Sequence, residues 1–299
     1  MISFSAMLLQ LVAINFVHAH DTGKPFVTVV RTDGFGAQLQ ERITCLVKSR
    51  VIPGVSYVHT PMKNLDHLRS ASWRVFQDLE DFVNLGEGEL RPEDVPADQI
   101  EILEGCAGFV NANIGLLELF KGELCLKQQS NKECPQQRIQ HFHLDRGNPR
   151  KLSVHVHVRR GDVQRDNKDK WLEMSHHLKT VQKVSEAAKL VDLSAEIHVH
   201  SQGNTSEFTQ LAEKYEAALH LDVEMLASWK AMTEADVLIM SRSSFSYTAA
   251  LYNQAGIIIY SDMRPSEPLP SWLEDSASVN AIAMRLQHFK VLRRLGSLT

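Results

Sequence analysis

Long runs of one charge sign are missing from this 299-residue sequence, and that absence removes one class of partner. Lys and Arg number 32 against 36 Asp and Glu, a formal net charge of −4 with no basic tract. Nucleic-acid binding draws its affinity from clustered cations that displace counterions, so no nucleic-acid partner is expected. Cysteine is scarce as well: there are four, none in Cys-x-x-Cys spacing, which argues against a zinc ribbon or a thioredoxin-like site. Internal repeats and low-complexity tracts are lacking, and after residue 19 no apolar stretch is long enough to cross a bilayer. What is present is 43% hydrophobic and 23% charged residues, enough to bury the core of one large or two medium domains.

Met1 to Ala19 contains no Lys, Arg, Asp or Glu, is largely apolar from Ala6 to Val17, and ends Val17-His18-Ala19. Small residues stand at both positions a signal peptidase reads. The segment is read as a cleaved signal, with an uncleaved short anchor as the alternative and the only route to a membrane. The remainder is then expected in the secretory pathway, in the ER or Golgi lumen, or secreted. In that compartment Cys45, Cys106, Cys125 and Cys134 form an even set with three possible pairings, of which Cys125 with Cys134 closes the shortest loop. Asn204-Thr205-Ser206 is a glycosylation sequon that fits the same compartment.

Patterning along the chain alternates strands with helices. Residues 26–30 and 55–59 read as strands, with helical periodicity at 37–49, 65–85 and 114–126 and a surface loop at 86–100. Arg146 to Pro149 reads as a turn or linker. Beyond it, strands at 152–158, 196–200, 219–221, 236–240 and 256–260 are separated by helices at 178–191, 207–216, 225–234 and 244–255. Such alternation implies parallel sheet with helices on both faces. Two α/β halves meeting near Pro149 is the economical arrangement, with ligand at the carboxyl ends of strands in the cleft between them.

Two constellations carry chemistry. In His157-Val158-Arg159-Arg160-Gly161-Asp162 a strand runs straight into two arginines. Alternation along the strand puts His155, His157 and Arg159 on one face and Val154, Val156 and Val158 on the other. A guanidinium at a strand's carboxyl end is a planar, permanently charged fork suited to a diphosphate, and Gly161 lets the backbone turn away. Asp162 can orient an arginine or meet a ligand hydroxyl. The second constellation is Met240-Ser241-Arg242-Ser243-Ser244-Phe245-Ser246-Tyr247, where a buried strand stops at a hydroxyl-rich run and a helix begins. Helix-start amides and the helix dipole make an anion site, so the two together describe a pyrophosphate clamp.

With Gly34-Phe35-Gly36-Ala37-Gln38, these segments resemble the HxRRxD, SSFS-type and GxGxQ motifs of the α-1,2/α-1,6/protein-O-fucosyltransferase superfamily, in that family's order. The resemblance implies a GT-B-like α/β fold of two Rossmann-type domains facing across a cleft. Residues 24–149 would form the acceptor-side domain and 150–299 the nucleotide-sugar domain. It further implies GDP-fucose as donor substrate, a glycan or glycoprotein as acceptor, inversion at the anomeric carbon, and neither a required metal nor any other cofactor. Carried over by position, Arg159 and Arg160 hold the β-phosphate and the departing GDP, while His157 and Asp162 shape the donor pocket. Ser243, Ser244, Phe245 and Ser246 hold the phosphates and the fucose edge, Gly34, Gly36 and Gln38 line the cleft, and Asp222 stands where relatives place a guanine-reading acid. Ala37, Tyr247 and Ser201-Gln202-Gly203-Asn204 depart from the family pattern, which bears on linkage and acceptor more than on donor.

Competing readings attach to the same residues. The general base for the acceptor hydroxyl is Asp33 or Asp162. The fold also suits another nucleotide sugar, and Arg160-Gly161-Asp162 is an adhesion tripeptide that a secreted, non-catalytic glycan-binding protein would display. His155 with His157 and His198 with His200 are i, i+2 pairs able to meet at a zinc ion, though such residues are more often hydrogen-bonded within a buried sheet.

Overall fold

The computed structural model describes residues 23–66, 73–128, 150–263 and 265–296. The expected signal segment, the expected junction at Arg146–Pro149 and Cys134 lie outside the described residues, as does the side chain of Cys125. The chain divides into two compact units, one up to Phe120 and one from Lys121. Among the described residues no helix is long and apolar enough to cross a membrane.

The first unit is built on three parallel strands in the order β2-β1-β3, with β1 at Phe26–Val29, β2 at Ser56–Tyr57 and β3 at Ile100–Leu103. Helix α1, Phe35–Val51, buries Leu39, Ile43, Leu46 and Val47 at helical spacing, and Lys48 and Arg50 in its last turn complement the dipole. Helix α2, Trp73–Val83, lies within the stretch read as helical. Strand β3 begins at Ile100, the last residue of the stretch read as a surface loop, and the short helix α3, Ala107–Asn111, lies where no element was expected. Helix α4, Ile114–Gln128, runs across the division between the units.

Pairing of β3 with β1 brings the segment after β3 beside α1, and Cys45 of α1 is joined there to Cys106. A buried polar knot closes the loop before α1. Arg42, 1% exposed, donates to the carbonyls of Thr60, Pro61 and Gln38, and the Gln38 amide donates to the carbonyls of Asp33 and Lys63.

In the second unit, six parallel strands run in the order β6-β5-β4-β7-β8-β9. They are β4 Lys151–His157, β5 Ser194–Ser201, β6 Ala218–Leu221, β7 Val237–Ile239, β8 Ile257–Tyr260 and β9 Leu273–Glu274. Renumbered within the unit this is 3-2-1-4-5-6, the Rossmann order, in which the direction of winding reverses between β4 and β7. Helices α5 (Met174–Leu190), α6 (Thr209–Tyr215) and α9 (Val279–Gly296) share one core with the valine face of the sheet, through Val154, Val156, Val181, Val184, Leu211, Leu286 and Phe289. Helices α7 (Met225–Thr233) and α8 (Ser244–Tyr252) contribute nothing to that core and pack on each other, with the Trp229 ring 5.1 Å from Tyr252 and its indole donating to Thr248.

The disulfide fixes α1 to the end of β3 across a separation of 61 residues, and constraining the unfolded chain over that length is worth about 4 kcal/mol. Replacing Cys45 and Cys106 together by alanine therefore lowers the denaturant midpoint of the first unit. A double variant whose unfolding curve overlays the parent would remove that contribution.

Candidate functional site

The reversal point between β4 and β7 is where the two constellations meet. Strand β4 delivers Arg159 just past its carboxyl end, and β7 delivers Ser241, Ser243 and the start of α8. The Arg159 guanidinium donates from Nη1 to Ser243 Oγ at 2.9 Å and from Nη2 to Asp162 Oδ2 at 2.7 Å, while its backbone amide reaches Ser241 Oγ at 3.3 Å. Its Nε is buried with no hydrogen-bond partner. Ser243 is the N-cap of α8, its hydroxyl accepting from the Phe245 amide at 3.3 Å. One oxygen thus binds both the helix start and the strand-borne cation. Such a helix start, with its orphan amides and positive dipole end, lies beside a fixed guanidinium, which is the electrostatic outline of an anion site.

Ser246 serves the loop itself: fully buried, it accepts from the Ser241 amide at 3.3 Å and donates to the carbonyls of Ser241 and Ser243. Ser244 and Phe245 are half-buried at the helix start. His157 is buried one residue pair below Arg159, its ring centroid 5.5 Å from Phe245 and its Nδ1 without a partner.

Arg160 turns the other way. Its guanidinium lies under Trp171, with Cζ 3.6 Å from the ring centroid; Nε donates to Glu207 Oε2 at 3.0 Å and Nη1 to the Arg159 carbonyl at 2.7 Å. Only 5% of Arg160 is exposed, so the Arg160-Gly161-Asp162 tripeptide does not display its arginine and the adhesion reading loses its cation. Gly161 takes φ +77°, a backbone conformation that favours glycine at this turn.

Asp222 is exposed, with φ +51°, and its carboxylate accepts from the Gly203 amide at 3.4 Å. Gly34, Gly36 and Gln38 belong to the first unit, where Gly34 is the N-cap of α1 and Gln38 spends its amide hydrogens on the backbone carbonyls described above. Asp33, also in the first unit, is ion-paired with Arg31.

The histidines form a two-by-two array across β4, β5 and β6. His155 Nδ1 lies 2.8 Å from His200 Nε2 and His198 Nδ1 lies 3.1 Å from His220 Nε2, while the ring of His155 stacks on His198 and that of His200 on His220. Ser153 Oγ meets His155 Nε2 at 2.7 Å. The pairs expected to share a face do so, and register adds His220, a residue no local pattern had marked. Among the described residues no group of three or more His, Cys, Asp or Glu has metal-holding geometry. Burial, then Arg159, His200 and His177, keeps His157 neutral well below the usual imidazole range. Burial likewise pushes His177 and His200 down to about 3, aided by His176 and Arg160 in the first case and by His220 and His198 in the second.

No protein-family model matches the chain. No curated protein matches it either. Among solved structures it is similar to Escherichia coli heptosyltransferase WaaC with ADP-2-deoxy-2-fluoro heptose, at 14% identity and TM-score 0.39, over 88% of this chain and 99% of that one. It is similar to NodZ α-1,6-fucosyltransferase soaked with GDP-fucose, at 13% identity and TM-score 0.38, over 83% and 99%. A third likeness is to a variant of Arabidopsis thaliana FUT1 in complex with GDP, at 12% identity and TM-score 0.37, over 90% and 77%.

The three buried, neutral histidines set the acid limit of the second unit. Each is unprotonated when folded and takes a proton near pH 6.5 when unfolded, so the stability it allows is intact above that pH and falls as pH drops toward its folded value. Each contributes about 1.4 kcal/mol per pH unit, or about 4 together, over the range from 6.5 downward. Denaturant midpoints of the second unit should fall steeply between pH 7 and 5, and His177→Leu should flatten that slope by about a third. Equal midpoints at the two pH values would show that the imidazoles are not held neutral.

Proposed function

We propose that this protein is an inverting, metal-independent glycosyltransferase of GT-B type that moves fucose from GDP-fucose to a hydroxyl of a glycan or glycoprotein. The observation that carries the reading is the Arg159 guanidinium bridging Ser243 and Asp162 at the reversal point of a 3-2-1-4-5-6 sheet. In open α/β sheets that crevice is where nucleotides bind. A permanently charged fork beside a helix start offers a diphosphate both charge and directed donors. The resemblance of the sequence motifs to those of the fucosyltransferase superfamily supports GDP-fucose as that anion.

Chemically, the bond between the fucose anomeric carbon and the diphosphate oxygen breaks with its electron pair going to GDP, and the acceptor oxygen bonds to that carbon from the opposite face. Charge accumulates on the leaving diphosphate as the sugar becomes oxocarbenium-like, and Arg159 with the α8 amides stabilises it there. Ser243, by fixing Arg159, removes the cost of reorganising that cation during the reaction. The acceptor proton passes to a carboxylate, for which Asp162 and Asp33 are the candidates. In this reading the first unit supplies the acceptor side, Asp222 meets the base, and the chain works in the secretory lumen after loss of residues 1–19.

Incubating purified protein with GDP-fucose, with and without chelator, should release GDP equally in both. Arg159→Ala should cost on the order of 10² or more in rate, or several kcal/mol of barrier. Turnover unaltered by that substitution would refute the assignment of Arg159. Release from ADP- or UDP-sugars instead of GDP-fucose would move the reading to another nucleotide sugar on the same fold. No release from any, alongside glycan binding, would leave a non-catalytic binder.

A further inference from the structure

We propose that Trp171 and Glu207 are positioning residues that clamp Arg160 behind the turn leaving β4 and thereby fix the direction in which Arg159 points. The inference rests on the reading of Arg159 as the diphosphate group, and it divides between two adjacent arginines a task the sequence gives to both.

Four observations converge on it. Arg160 is almost wholly buried although it follows a strand end, where side chains usually reach solvent. Three separate segments supply its surroundings: the loop after Asp162 brings Trp171, the 3-10 turn Thr205–Phe208 after β5 brings Glu207, and the turn itself brings the Arg159 carbonyl. That 3-10 turn is itself set, since Asn204 caps it by accepting from the Ser206 amide at 3.0 Å. Finally, the backbone of Arg159 is held from both sides, its amide by Ser241 Oγ and its carbonyl by Arg160 Nη1.

The physical sense lies in what each bond does. A guanidinium stacked on an indole face and paired with a carboxylate has little rotational freedom. Its remaining in-plane hydrogens are then aimed, and one is spent on the Arg159 carbonyl. Desolvation lowers the proton affinity of Arg160 and Glu207 raises it in part, so the ion pair offsets some of the burial of the charge. Lysine could supply the charge but not the fork, and Nζ could not serve Glu207 and the carbonyl while stacking flat on Trp171. Arg159 leaves a backbone that can neither swing toward solvent nor retract from Ser243. An unbraced Arg159 would have to be re-aimed each time an anion arrived.

Two readouts test this. Amide hydrogen exchange followed residue by residue, without ligand, should show the Arg159 amide exchanging at least tenfold faster in Trp171→Ala and in Glu207→Gln. Amides of β8 in the same sheet should be unchanged, and Trp171→Tyr, which keeps an aromatic face under the guanidinium, should restore protection. GDP titration should show Trp171→Ala weakening binding at least tenfold in the parent background and not at all in an Arg159→Ala background. Unchanged exchange at Arg159 would overturn the brace, and so would a loss of GDP affinity that simply adds to that of Arg159→Ala. Failure of the parent protein to bind GDP would sink the diphosphate reading, and the exchange data would then uphold or overturn the brace by themselves.

Discussion

The hydrogen bond from Arg159 to the N-cap hydroxyl of α8 joins two elements that reach the same point from opposite directions of winding. β4 begins the half of the sheet that winds toward β6, and β7 begins the half that winds toward β9. No regular pairing bridges the crevice this opens at the strand ends, so side chains must define it. Ser243 caps a helix and orients a cation with one oxygen, Ser246 ties the loop to itself, and Ser241 holds the arginine's backbone. Removing any one leaves the others with unmet donors or acceptors in a buried place, where each costs about 1–3 kcal/mol. The hydroxyl run is therefore as much a structural device as a ligand-facing one.

Much of the second unit was legible because fully buried parallel strands announce themselves as β-branched apolar runs between amphipathic helices. The ends of the five strands read there fall within two residues of those observed, while the two-residue β9 was not read; the Val154/Val156 against His155/His157 alternation follows directly from the period of the pleat. The first unit was harder. β3 has the sequence Ile-Glu-Ile-Leu inside an acidic, proline-containing stretch, and Ile102 is 67% exposed, so neither burial nor alternation marks it. With β3 unseen, nothing local in the sequence set Cys45 beside Cys106, although that pair is the complement of the short Cys125–Cys134 closure. That pairing is a consequence of strand adjacency, which is a tertiary fact. His220 was invisible for the same reason, because only the β5–β6 register sets it opposite His200.

Polar residues divided less cleanly. A Gly-x-Gly-x-Gln run at a helix start reads as a ligand loop, and α1 does begin there. Gln38 and Arg42 nevertheless form a saturated knot of backbone bonds, the kind of buried network that specifies a loop's shape when every member is satisfied. Sequence separates such a keystone from a ligand contact poorly, since both need an amide or guanidinium at a turn. The two adjacent arginines posed the same difficulty. Their identical chemistry hides different partners, Ser243 and Asp162 for Arg159 against Trp171 and Glu207 for Arg160.

Burial of His157 beside Arg159 completes the electrostatics of the crevice. Protonated, an imidazole so close to the guanidinium would add like charge beside it. Kept neutral by desolvation, it contributes a polarizable wall and no charge. The positive potential of the turn is then set by Arg159, whose guanidinium stays charged throughout the neutral range. The stacked histidines of β4, β5 and β6 extend that wall sideways and hydrogen-bond to one another, His155 to His200 and His198 to His220. A site whose charge is carried by Arg159 and whose neighbouring imidazole, His157, is held neutral separates strength of attraction from pH, at the cost of a fold that tolerates acid poorly.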